Sequence, residues 1–197
     1  MKKSQKINGF TLVEMSATIV VIGIIGLGLI MTLRTTFLHY STDYVRQEIR
    51  QYGNIVMREL NEKINNAQQV RFGVHQNGFA LIRIWDSSSN PVPSETIRAN
   101  SDEGILINNS PLMGGTFQLP TVGRFRDNDQ HRVSLIDFTW SQETDPRPSL
   151  NNFNNNMITI ALTIQLDSDV LTDEETVAEE FYFSKSVFVA NNYIQTL

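Results

Sequence analysis

Residues 10–33 read FTLVEMSATIVVIGIIGLGLIMTL, an apolar run broken by a single charge, Glu14. As a helix rising about 1.5 Å per residue, a run of this length spans roughly 36 Å, enough to cross a hydrocarbon core of about 30 Å. The pattern then changes. From Phe37 onward, apolar or small residues recur at Ser41, Val45, Ile49, Tyr52, Val56, Leu60, Ile64 and Ala67, in the steps of three and four that mark one helix face. The opposite surface carries Arg46, Arg50, Arg58, Glu59, Glu62 and Lys63, as a solvated face should. No proline precedes Pro91. The pattern predicts one continuous helix from Phe10 to Ala67, its first half apolar all round and its second half amphipathic.

Beyond Ala67 the period shortens towards two. Residues 69–74 and 78–85 read as two strands joined at Gln76-Asn77-Gly78, because Asn-Gly is a strong hairpin signal. A serine-rich loop with Pro91 and Pro93 covers 86–95. Short strands are expected at 104–108 and 116–119, and longer ones at 132–140, 157–166 and 180–190. An asparagine-rich connection at 151–156 and an acidic one at 167–180 suit turns, since these side chains satisfy nearby backbone groups. Strands gathered after one long helix predict an α+β domain with an antiparallel sheet rather than an alternating α/β sheet. Trp85 and Trp140 are expected as core residues of adjacent strands.

Charge sets the direction in which the apolar run would be inserted. Lys2, Lys3 and Lys6 lie just ahead of it, and by the positive-inside rule they hold the amino terminus in the cytoplasm. Arg34 closes the span on the far side, where its long stem can reach the headgroups. Without those three lysines, 13 basic residues face 21 acidic ones, a side-chain charge of −8. That balance argues against direct nucleic-acid binding, which needs a clustered basic face. There are no cysteines, so no disulfide holds the domain.

The basic leader, the hexapeptide Gly9-Phe10-Thr11-Leu12-Val13-Glu14 and the apolar run together resemble the amino-terminal signal of type IV pilins and type II secretion pseudopilins. The resemblance implies cleavage by a prepilin peptidase between Gly9 and Phe10 and methylation of the new amino terminus on Phe10. It divides the chain into a leader over 1–9, a transmembrane and filament-core helix over 10–33, and an extracytoplasmic pilin-like domain over 34–197 that includes the second half of the helix. A lone carboxylate in such a span is costly unless it has a function. The family model gives Glu14 one: Phe10 and Glu14 share a helix face at i,i+4 spacing, and the carboxylate pairs with the terminal amine of a neighbouring subunit, which sets the register of the bundle. Implied partners are the peptidase, other pilin or pseudopilin subunits and the bacterial inner membrane. Implied work is initiation or capping of a short filament for secretion, pilus biogenesis or DNA uptake. The closing segment 181–192, together with Val133–Trp140, is similar to larger J-type minor pseudopilins, although Ala190-Asn191 stands where those often carry Arg-Asn. Met31 occupies the place of a helix-loosening proline that many members carry. The alternative is an uncleaved signal anchor bearing an extracytoplasmic binding domain that never polymerises.

Other chemistry finds little support. Gly23, Gly26 and Gly28 are not in phosphate-loop order and sit inside the apolar run, where small residues permit close helix approach. His39, His75 and His131 have no metal-ligand spacing and read as surface side chains. The densest acidic cluster, Asp167, Asp169 and Asp173 with Glu174 and Glu175, lacks the glycine and ligand order of an EF-hand loop. It reads as a solvated turn, with calcium as the alternative because some pseudopilins bind it in a carboxyl-terminal loop. Asp127 and Asp129 are weaker still. No nucleophile motif is present, so no enzyme activity and no cofactor are expected.

Overall fold

The computed structural model describes residues 11–87, 89–112, 119, 131–142, 157–168, 177–189 and 194–196, the backbone alone at 168, 177 and 194–196. Two compact units divide the chain, residues 1–41 and 42–197. Helix α1 (Leu12–Asn66) begins in the first and ends in the second.

In the first unit the helix is apolar on every side and, from Leu12 to Tyr40, without a buried residue. Leu12, Ile19, Ile22, Ile24, Leu27, Ile30 and Leu33 are all well exposed. Its most apolar stretch has no part buried within the chain, and the helix is long and apolar enough to cross a membrane. Phe37, expected to open the buried face, is also exposed, so that face starts at Ser41.

In the second unit the remainder of α1 packs against two sheets. Strands β1 (Gln69–Val74), β2 (Ala80–Trp85), β3 (Glu95–Asn100), β4 (Gly104–Ile107), β5 (Ser110–Pro111) and β9 (Ile194–Thr196) form a six-stranded sheet in the order β5-β4-β3-β2-β1-β9. All its neighbours are antiparallel except β1 and β9, which run parallel. Strands β6 (His131–Gln142), β7 (Met157–Ser168) and β8 (Val177–Phe188) form a second, antiparallel sheet in that order. The Leu135 amide donates to Ser101 O at 2.8 Å and ties β6 to the β3–β4 turn. Register shifts between Leu135 and Asp137, a bulge that leaves Ile136 exposed between buried Leu135 and Phe138.

One core joins all three layers. Val45, Ile49, Tyr52, Val56, Leu60 and Ile64 are buried along α1, the stripe that the three-and-four spacing marks, and Ala67, expected as the last helical residue, is buried just past the helix end at Asn66. They meet Val70, Phe72, Ile82, Ile84, Ile97 and Ile105 of the first sheet and Leu135, Phe138, Ile160, Leu162 and Ile164 of the second. A fully buried Ile, Leu or Val contributes about 1.5–3 kcal/mol over leaving it in water, which fixes the helix face.

The α+β class is therefore as the order of elements predicts, but the strand inventory differs. The predicted single sheet is two. Strand β3 begins at Glu95, the last residue of the loop expected at 86–95, its Thr96, Arg98 and Asn100 alternating with buried Ile97 and Ala99, a short polar pattern that the neighbouring prolines obscured. β9 was not foreseen because its three residues carry no periodicity and gain strand form only by pairing with β1. The segment 116–119 lies outside the described residues except Leu119, which is buried in the core and not in a strand. β7 and β8 extend further than expected, to Ser168 and from Val177, so the acidic connection is shorter than 167–180. Trp85 and Trp140 are both at least partly buried, but on different sheets, not adjacent strands. Trp140 packs on Phe72 with ring centroids 5.1 Å apart and donates Nε1–H to Gly73 O at 3.2 Å.

Two close approaches hold α1 to the sheets. At Gly53 a Cβ would stand 2.5 Å from the Phe183 ring of β8, so the missing side chain lets that ring lie against the helix. Replacing Gly53 with Ala would gain about 1 kcal/mol of helix propensity but force the ring to move, at roughly 1–3 kcal/mol for overpacking. Gly53→Ala is expected to lower the urea midpoint of the full chain, and adding Phe183→Leu to restore it; an unchanged single variant would contradict the packing.

Next along the stripe, the Tyr52 hydroxyl accepts from the Ile105 amide at 2.8 Å, beside Gly104, whose φ of +78° and contact with that hydroxyl both suit glycine. Burial pushes the Tyr52 phenol up to about 12 from its ordinary 10. The unfolded phenol ionises near pH 10 while the folded one keeps its proton, so stability falls as pH rises from about 10 to about 12. Tyr52→Phe is expected to flatten that part of the pH–stability curve, measured by urea unfolding at stepped pH, and to cost about 1–3 kcal/mol at neutral pH for the orphaned Ile105 amide.

Candidate functional site

The amino-terminal end of α1 concentrates the chemistry of the apolar segment. Thr11 precedes the first helical residue, Leu12, which makes it the N-cap and Glu14 the third helical position. The Glu14 amide donates to Thr11 Oγ1 at 3.3 Å. In return the Thr11 amide donates to Glu14 Oε2 at 2.8 Å, and the Thr11 hydroxyl to the same oxygen at 2.9 Å. This is a capping box: two backbone donors that the helix cannot satisfy internally are met by a reciprocal Thr and Glu. The carboxylate also sits at the positive end of the helix dipole.

Among the described residues both bonds to the carboxylate end on Oε2, which leaves Oε1 to accept from a further donor. The Thr-x-x-Glu spacing was legible in the chain, and it is the signal that a reading of Glu14 as a membrane charge passed over. Gly9 and Phe10, the expected cleavage and methylation positions, lie outside the described residues.

Further along the apolar helix, hydroxyls turn back onto the backbone. Thr18 donates to Glu14 O at 2.7 Å, Thr32 to Gly28 O at 2.9 Å, Thr35 to Met31 O at 3.0 Å and Thr36 to Thr32 O at 2.9 Å. Such bonds satisfy each polar group within its own segment, which is what a helix in hydrocarbon requires. At Gly23, Gly26 and Gly28 an added Cβ would meet nothing within 4 Å, so no packing within the chain demands glycine there.

The remaining candidates do not converge. Asp167, one residue before the end of β7, is half-buried and accepts from Gln165 Nε2 at 2.6 Å; Asp169 and Asp173 lie outside the described residues. Among the described residues no three His, Asp or Glu side chains are grouped as metal ligands. His39 is exposed and His75 contacts Asn77 Oδ1 at 3.0 Å in the β1–β2 turn. His131 is buried at the start of β6, contrary to its expected surface place, because its side chain falls on the inward register of the strand with Val133 and Leu135.

Comparison with protein-family models, with curated proteins and with solved structures gives no match.

The cap makes a local prediction. Thr11→Val removes the hydroxyl and leaves the Glu14 amide without its acceptor, a change worth about 1 kcal/mol at an N-cap. Amide exchange over residues 12–15 in detergent micelles should speed up about fivefold, and Thr11→Ser should exchange like the parent chain. Equal rates in all three would mean that the box does not hold the helix end.

Proposed function

We propose that the chain is a minor pilin or pseudopilin. On this reading it is inserted in the bacterial inner membrane with its amino terminus cytoplasmic, cut between Gly9 and Phe10 by a prepilin peptidase, methylated on Phe10 and built into a short filament. The observation that carries the reading is the placement of Glu14. The only charge of the 10–33 run stands in the first turn of the helix, four residues after Phe10 of the Gly-Phe junction, with one oxygen available to a second donor among the described residues. A fold in which the long helix continues onto antiparallel sheets is compatible with this. In a bundle of such helices, the amine of Phe10 on one subunit would meet Glu14 of the next, and a slipped subunit would leave both charges unmatched. The chain is read as the substrate of a peptidase and as a structural subunit, without a reaction of its own.

The capping box favours a second reading, a permanently anchored binding protein in which Glu14 serves only its own helix end. The two differ in what they ask of the side chain. A capping box accepts Gln in place of Glu at its third position, whereas pairing with an amine requires the charge.

Intact-mass measurement comes first: a chain beginning at methylated Phe10, seen only in cells with prepilin peptidase, is the expected result, and an uncut chain in both backgrounds would contradict it. Glu14→Gln and Glu14→Ala are then compared for membrane insertion and filament incorporation. The filament reading expects both variants to insert and neither to be incorporated. Incorporation of Glu14→Gln at the parent level would reduce Glu14 to a cap.

A further inference from the structure

Within the second unit, α1 and β8 run side by side in matched steps. Four helical residues advance about 6 Å and two strand residues about 6.8 Å, so rows spaced by four on the helix keep pace with rows spaced by two on the strand. Arg46 Nε meets Glu179 Oε2 at 2.7 Å. One step on, the Arg50 guanidinium lies 5.8 Å from the centre of the Phe181 ring. At the third step the Phe183 ring lies against Gly53, next to Asn54. The fourth step brings Arg58 and Lys185 to the same groove, of about 410 Å³, lined also by Asn54, Met57, Tyr182, Phe183 and Ser184.

The first step of this seam is an ion pair, while the fourth sets cation beside cation. Arg58 and Lys185 are both exposed and neither has an ion-pair partner among the described residues. β8 is also the edge of its sheet: β7 pairs with one side along its whole length, and among the described residues no strand pairs with the other. A long edge without a bulge or proline is what natural proteins usually blunt unless it receives a partner. Ser184, Lys185 and Ser186 are exposed in succession, and Tyr182 beside them is 65% exposed.

We propose that the groove between the Asn54–Arg58 turn of α1 and the Tyr182–Lys185 stretch of β8 is a docking site for an extended, carboxylate-bearing segment of a partner polypeptide. The segment adds to the open edge of β8 through main-chain bonds, with Arg58 and Lys185 flanking its carboxylates and Met57 and Phe183 forming the floor. This does not rest on the filament reading, since the site is built wholly from the second unit and serves an anchored receptor equally well.

The test uses the full chain in detergent micelles and a fluorescein-labelled decapeptide of alternating Glu and Val, read by anisotropy. Saturable binding is expected. Arg58→Glu and Lys185→Glu should each weaken it at least tenfold, while Arg132→Glu, an equal charge change at an exposed position of β6, should leave it within twofold. A Lys-for-Glu peptide and a fully backbone-N-methylated Glu-Val peptide should not bind. Absence of saturable binding, equal losses from all three charge reversals, or full binding of the methylated peptide would each overturn the proposal, the second by showing general attraction and the third by excluding strand addition. Ser184→Cys in this cysteine-free chain supplies an independent arm. Disulfide-linked homodimers forming much faster than from Thr139→Cys would assign the edge to a second copy and overturn the acidic partner.

Discussion

The buried stripe of α1 from Val45 to Ile64 is the contact on which the domain depends. It is the only helical face among the described residues that the core uses, and both sheets pack against it. Neither sheet alone offers a closed core: the six-stranded one buries Val70, Phe72, Ile82 and Ile97 on its inner face, the three-stranded one Leu135, Phe138, Leu162 and Ile164. A sheet face of that kind must be covered, and two such faces sharing one helix make a layered α+β arrangement. The close approaches at Gly53 and Gly104 show how little room the helix leaves: one admits an aromatic ring, the other a phenol.

The same helix serves two solvents. Its first unit exposes large apolar side chains on every side and turns its threonine hydroxyls onto its own carbonyls, while its second buries one stripe and solvates the rest. Hydrophobicity alone would not separate these roles. What does is angular distribution, since an all-round apolar surface must be covered by lipid or by other chains, whereas a stripe can be covered by the chain's own sheets. Polar contacts follow the same division. In the second unit Lys63 reaches across to Glu95 at 2.7 Å and Arg46 to Glu179, whereas in the first unit the Glu14 carboxylate bonds to Thr11 within its own helix end.

Glu14 illustrates how one residue can carry two explanations that are not rivals in geometry. The capping box uses a single carboxylate oxygen, and a donor from another chain would use the second. A cap of this kind keeps the acid at the helix end and partly solvated by its own backbone before any partner arrives. It thereby lowers the cost of holding a charge in an apolar segment.

By itself the chain determined the long helix, its apolar and amphipathic halves, the residues of the buried stripe, the Asn77-Gly78 hairpin and the order of helix then strands, because each of these is set by local periodicity or turn chemistry. In the turn, Gly78 takes a φ of +88° and the Asn77 side chain accepts from the Phe79 amide at 3.2 Å, as the dipeptide implied. The Thr11–Glu14 cap was equally legible, being a spacing of three. Only the tertiary structure decided that the strands divide into two sheets, that Ile194–Thr196 closes one of them in parallel with β1, that His131 is buried, and that Arg58 and Lys185 meet at one groove. Those outcomes depend on which segments pair at a distance, across more than a hundred positions of chain for β1 with β9 and for Arg58 with Lys185, and a side chain's own neighbours in sequence carry no record of that choice.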